Sequence, residues 1–139
     1  MMTKFLLIVD YNSGVIETPM DEWSPEDVKA HMDYYIRLND ELRQSGELVG
    51  GESLTGPELA KSVTSDGISA PVVTDGPFLE SKELLAGFQV IDVESEERAI
   101  EIAALVSAVP GPGGVPSQQP IGVRRVMDEA DFQELNPLG

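Results

Sequence analysis

Five successive apolar residues, Phe5-Leu6-Leu7-Ile8-Val9, stand between Lys4 and Asp10. A run with no polar alternation reads as a strand covered on both faces. Phe88 to Val93 again puts apolar side chains on both faces, Phe88 and Val90 on one and Ile91 and Val93 on the other. Between these runs the period lengthens to that of a helix. Ser24-Pro25-Glu26-Asp27 combines a hydroxyl N-cap, a proline at the first helical position and acids in the first turn. The helix is predicted to run to about Ser45, where Gly46 stops it. Its core stripe is predicted as Val28, Met32, Tyr35, Ile36 and Leu42, and Asn39 within that stripe needs a hydrogen-bond partner if buried. A second helix is predicted from the cap Ser95, with Ala99, Ile102, Ala103 and Val106 facing inward and an end before Pro110.

The remaining segments read as short strands and turns. Glu47 to Leu54 is a strand whose Gly50-Gly51 implies a bulge or a close backbone approach. Leu59 to Thr64 and Ala70 to Thr74 flank Ser65-Asp66-Gly67 as a hairpin, and Glu80 to Leu85 reads as a helical turn. Pro120 to Met127 forms a last strand. The order predicts a single α+β domain over 1–127, a ferredoxin-like βαββαβ unit with an inserted hairpin, followed by an acidic tail over 128–139. In that topology the two apolar strands are central and both helices cover one face. The other face is left apolar and uncovered, and a second copy is its simplest cover. The expected assembly is therefore a homodimer with two sheets face to face, a dimeric α+β barrel.

Composition narrows the partners. With 25 acidic against 9 basic residues the net charge is −16, which repels nucleic acid, and no basic stripe offsets it. No apolar run approaches the ~18–20 residues of a membrane span, and no secretory leader is expected. The chain has no cysteine, so thiol catalysis and disulfides are excluded and a cytoplasmic location is the default expectation. One histidine and no cysteine make a zinc or copper site improbable. No metal or cofactor is expected.

The candidate chemistry gathers around Val72-Val73-Thr74-Asp75-Gly76-Pro77-Phe78. The β-branched residues favour an extended backbone, Asp75 can cap the turn, and Pro77 turns the chain out of the sheet. Asp-Gly-Pro-Phe, followed by Glu80-Ser81-Lys82-Glu83 and by Gly87-Phe88 entering an apolar strand, resembles the DGPF-domain branch of the YCII-related family. Tyr11 after the first strand, Gly51-Glu52-Ser53-Leu54 and Val123-Arg124 extend the likeness along most of the chain. Ala86 stands where that pattern has a second glycine, and Gly122-Val123-Arg124-Arg125 replaces its Glu-Val-Arg-Pro. The resemblance implies a dimeric α+β barrel, and relatives lie near or are fused to sigma-factor-type transcription regulators.

Each candidate carries a functional and a plain reading. Asp75 beside an apolar pocket is a general base, or it caps its own turn. His31, on the border of the helix stripe, is catalytic or makes a structural bond. A small-molecule site near the Asp75–Phe78 rim would draw on Tyr35, Glu52, Gly76, Phe78, Lys82 and Arg124. Phe78 alternatively plugs the core, Lys82 pairs with Glu83 in solvent, and Arg124 either receives a carboxylate such as Glu52 or protects a sheet edge. Three classes follow: a cofactor-independent acid–base enzyme, a non-catalytic ligand-binding or regulatory module, and a structural dimerisation domain.

Overall fold

The computed structural model describes residues 2–75 and 85–135. β1 (Thr3–Asp10) and β5 (Leu85–Val93) pair antiparallel along the middle of a four-stranded sheet. β2 (Leu48–Ser53) flanks β5 and β6 (Ile121–Arg125) flanks β1, both antiparallel, giving the order β2-β5-β1-β6. With α1 (Pro25–Gln44), α2 (Glu96–Ser107) and the short α3 (Glu129–Leu135), this antiparallel α+β arrangement is compatible with a ferredoxin-like fold. No described helix is long and apolar enough to cross a membrane.

Both long helices begin as their sequences require. The Ser24 and Ser95 hydroxyls accept from the third backbone N–H beyond, at 3.2 and 3.1 Å. α2 buries the expected Ala99, Ile102, Ala103 and Val106 against Phe5, Leu7, Ile91 and Val93. α1 departs from its predicted stripe. Leu42 is buried, as is Leu38, which the stripe omitted, whereas Met32 and Ile36 are 48% and 57% exposed. The reason lies in the sheet beneath. Leu38 and Leu42 sit in the buried cluster, while Met32 and Ile36 lie on the side of the helix that, with Gly51 and Gly87, lines an open groove.

The inserted hairpin is β3 (Lys61–Thr64) against β4 (Val72–Asp75), a separate two-stranded sheet. Leu59, expected in its first strand, sits instead in the 3₁₀ turn Pro57–Leu59, where proline starts a tight turn. At its tip the Asp66 carboxylate accepts from the Ile68 and Ser69 N–H groups at 2.9 and 2.8 Å, and Gly67 takes φ 79°. Leu85, read as the end of a helical turn, begins β5 and pairs with Asp10. Beyond β6, Arg125 holds both carboxylate oxygens of Asp131 at 2.7 Å and ties α3 to the sheet. That contact keeps the Asp131 carboxyl well below its usual range.

Alternation along β1 and β5 separates two environments. Phe5, Leu7, Ile91 and Val93 face the helices and are buried. Leu6, Ile8, Phe88 and Val90 face away, stay half-exposed, and lie outside the buried cluster.

Candidate functional site

A groove of about 710 Å³ lies between α1 and the β2–β5 end of the sheet. Its floor exists because side chains are missing there. Leu48 pairs with Ile91 but Gly50 pairs with Val90, so Val49 is the extra residue of a bulge. Gly51 follows at φ 151°, and a Cβ on it would meet the Phe88 carbonyl oxygen at 2.6 Å. A Cβ on Gly87 would lie 3.1 Å from the Glu52 carbonyl oxygen. Only glycine fits either place without displacement. The exposed Met32 and Ile36 form an apolar wall above this floor.

The polar groups of the groove are few and specifically placed. Gln89 Nε2 donates to Asn39 Oδ1 at 2.7 Å across the gap between sheet and helix. This supplies the partner that Asn39 needs, yet Gln89 Oε1 is buried with no partner among the described residues. Burial, with the neighbouring Tyr34 adding to it, raises the Tyr35 hydroxyl above its usual range and keeps it protonated.

His31 borders the groove. Its Nδ1 lies 2.9 Å from the Pro110 carbonyl oxygen, an acceptor only, so Nδ1 carries a proton and Nε2 is the nitrogen left to face a ligand. Trp23 and Tyr35 hold the ring edge-on, with centroids 5.3 and 5.2 Å away. Trp23 is itself fixed by its indole N–H donating to the Thr18 carbonyl at 2.8 Å. A second cavity of about 480 Å³ opens on the far side, and both spaces share Val9, His31, Tyr35 and Ala86. Among the described residues no group of three His, Asp or Glu side chains is placed to hold a metal ion.

The structure gathers some predicted site residues here and leaves others apart. His31 and Tyr35 line the groove, and Glu52 borders it along the strand while its register with Phe88 turns its side chain to the opposite face. Asp75 sits at the base of the hairpin, its side chain 83% exposed and ion-paired with Lys61, and borders neither cavity. Gly76, Phe78 and Lys82 lie outside the described residues, as does most of the predicted turn after Asp75. Arg124 lies across β1 from the groove strands, beside Leu6 on the face away from the helices.

The YCII-related domain is found over residues 3–114, which hold β1, β2 and β5 of the sheet, both long helices and the groove, with β6 lying beyond. The chain belongs to the YCII-related family. It is also similar to an uncharacterised protein of Rhizobium meliloti (strain 1021), 31% identical over 98 residues that cover 70% of this chain and 78% of that protein. Within this YCII-related domain the sequence reading missed Gln89, whose signal was present: a lone amide in the row it shares with Gly87, Ile91 and Val93. It also took Met32 and Ile36 for core, because a helical stripe cannot show that the floor opposite is glycine.

Proposed function

We propose that this protein is a homodimeric small-molecule-binding protein of the cytoplasm, with one ligand site per chain in the groove beneath α1. The observation that carries this reading is a floor stripped of side chains at Gly51 and Gly87, under a wall that leaves Met32 and Ile36 in solvent. Its volume falls within the ~300–1,000 Å³ of ordinary ligand sites. Apolar walls with an amide pair, a phenol and an imidazole suit an uncharged or weakly polar ring compound. A polyanion is disfavoured by the net charge of −16. The sequence Asp75-Gly76-Pro77-Phe78 supports assignment to the DGPF-domain branch. The half-exposed Leu6, Ile8, Phe88 and Val90 support pairing of sheets, as in a dimeric α+β barrel.

A second reading, acid–base catalysis, draws on the geometry of His31. A proton-bearing Nδ1 anchored to Pro110 leaves Nε2 free to take a proton at the junction of two cavities. Asp75 contributes less to this reading, because its carboxylate faces solvent and Lys61.

A metabolite library read by thermal shift tests both. Binding in the groove raises the melting temperature of the natural chain, and the rise disappears in Ile36→Trp, which fills the groove from an exposed position. A rise that survives Ile36→Trp refutes the location. Product formation that depends on His31 decides for catalysis over binding alone.

A further inference from the structure

The sheet face turned away from the helices is apolar in the middle and oppositely charged at its two edges. Leu6 and Ile8 of β1 and Phe88 and Val90 of β5 make the middle, with the opposed Lys4 and Asp92 of the same two strands at one end of it. Register places Glu52 on this face in edge strand β2, paired with Phe88, and Arg124 on it in edge strand β6, paired with Leu6. Within one chain these two charges cannot meet. Two strands stand between them, so their backbones are about 14 Å apart at ~4.8 Å per strand. Neither takes part in an ion pair among the described residues.

We infer that a second copy of this chain closes the face across a two-fold axis lying in the interface along the strands, and that Glu52 of each protomer pairs with Arg124 of its partner. The inference rests on the dimeric reading above and adds its orientation. A two-fold along the strands exchanges left and right edges, bringing the β2 edge of one sheet over the β6 edge of the other. A two-fold across the strands would stack β2 on β2 and β6 on β6, carboxylate edge on carboxylate edge. Like charges facing each other are repulsive, and a chain of net charge −16 has little to offset the repulsion. Along the strand direction the two residues differ by one step of the face, about 6.7 Å, and packed sheets lie about 10 Å apart. That places their backbones roughly 12 Å from each other across the interface, a distance that extended Arg and Glu side chains span together. The apolar middle supplies the association and the paired edges fix which way the sheets lie.

Charge reversal tests the pairing by a sign that general electrostatics does not share. Glu52→Arg makes the chain less acidic, so relief of overall repulsion alone would strengthen association. The pairing requires the opposite. Sedimentation equilibrium should give the natural chain about twice its 15.0 kDa mass. Glu52→Arg and Arg124→Glu should each weaken dimerisation at least tenfold, and the double reversal should return it to within about threefold of the natural chain. Glu41→Arg, on α1, reports the general charge effect and should not weaken the dimer. Circular dichroism confirms that each variant is folded before its mass is read. A natural chain that stays monomeric overturns the inference together with the dimeric reading. A natural dimer whose affinity the double reversal fails to restore overturns the pairing alone.

Discussion

Replacing Glu47 by glutamine probes the joint that holds β2 to α2. Both carboxylate oxygens of Glu47 accept from Arg98, at 2.8 Å from Nε and 2.9 Å from Nη2, and Ser45 Oγ donates to Oε1 at 2.9 Å. Arg98 also reaches Glu101 at 3.0 Å. The Glu47 side chain is 15% exposed and that of Arg98 31%, so this pair is neither a solvent pair nor a dry one. A charge-assisted bond contributes about 1.5–3 kcal/mol when buried, and an exposed ion pair under about 1 kcal/mol. With about a third of the Arg98 side chain still exposed, Glu47→Gln should cost about 1–2 kcal/mol, or about 3–8 °C in melting temperature. The Arg98 hydrogen bond, outweighing the opposing effect of burial, lowers the Glu47 carboxyl below its ordinary 4.5. A depressed carboxyl contributes its stability above the unfolded-state value and loses it as pH falls through the folded-state value. The gap between the natural chain and Glu47→Gln, followed by urea denaturation, should therefore be constant from pH 7 to about 5.5 and narrow on further acidification. A gap that widens with acid, or none at pH 7, refutes the assignment.

Gly51→Ala should lower stability by about 2–4 kcal/mol, since it forces a side chain into φ 151° and against the Phe88 carbonyl; an unchanged urea midpoint would show that the floor can shift. Asp75→Asn should leave the melting temperature within about 2 °C, because its ion pair with Lys61 is exposed, and a large loss would point to turn capping instead. Gln89→Met combined with Asn39→Leu removes both partners of the 2.7 Å bond together with the buried oxygen that has no partner among the described residues, so the urea midpoint of the double variant should equal or exceed that of the natural chain. A clear loss there would mean that the amide oxygen is partnered after all.

The parts of the fold legible in the sequence are those written in local chemistry. Ser24-Pro25 and Ser95 announce helix starts through hydroxyls aimed at free N–H groups, and both caps form. The second-helix stripe holds in full because α2 lies on large side chains along its length. The first-helix stripe holds only where Leu42 meets such a floor. Met32 and Ile36 satisfy the same periodicity, and what exposes them is the absence of side chains on two strands distant in sequence. His31 was flagged for lying at a stripe border, but the bond to Pro110 spans 79 positions and no spacing rule reaches it. Asp75 drew attention through its turn motif, a local signal that says nothing about distance from a cavity.

β5 shows why the two faces must be reasoned about separately. Gly87, Gln89, Ile91 and Val93 point toward the helices, and within that row the first two leave space while the last two fill it. Phe88 and Val90, interleaved with them, point to the opposite face. One strand thus carries an emptied floor, a packed core and an apolar outer surface in nine residues, separated only by the two-residue alternation of the backbone. A one-residue slip of β5 against β1 would put Phe88 into the groove and Gln89 onto the apolar face. The bulge at Val49 and the close approach of Gly51 to the Phe88 carbonyl fix the matching register of β2 on β5, because that approach tolerates glycine alone. The glycine that empties the groove is therefore also what holds β2 in register on β5.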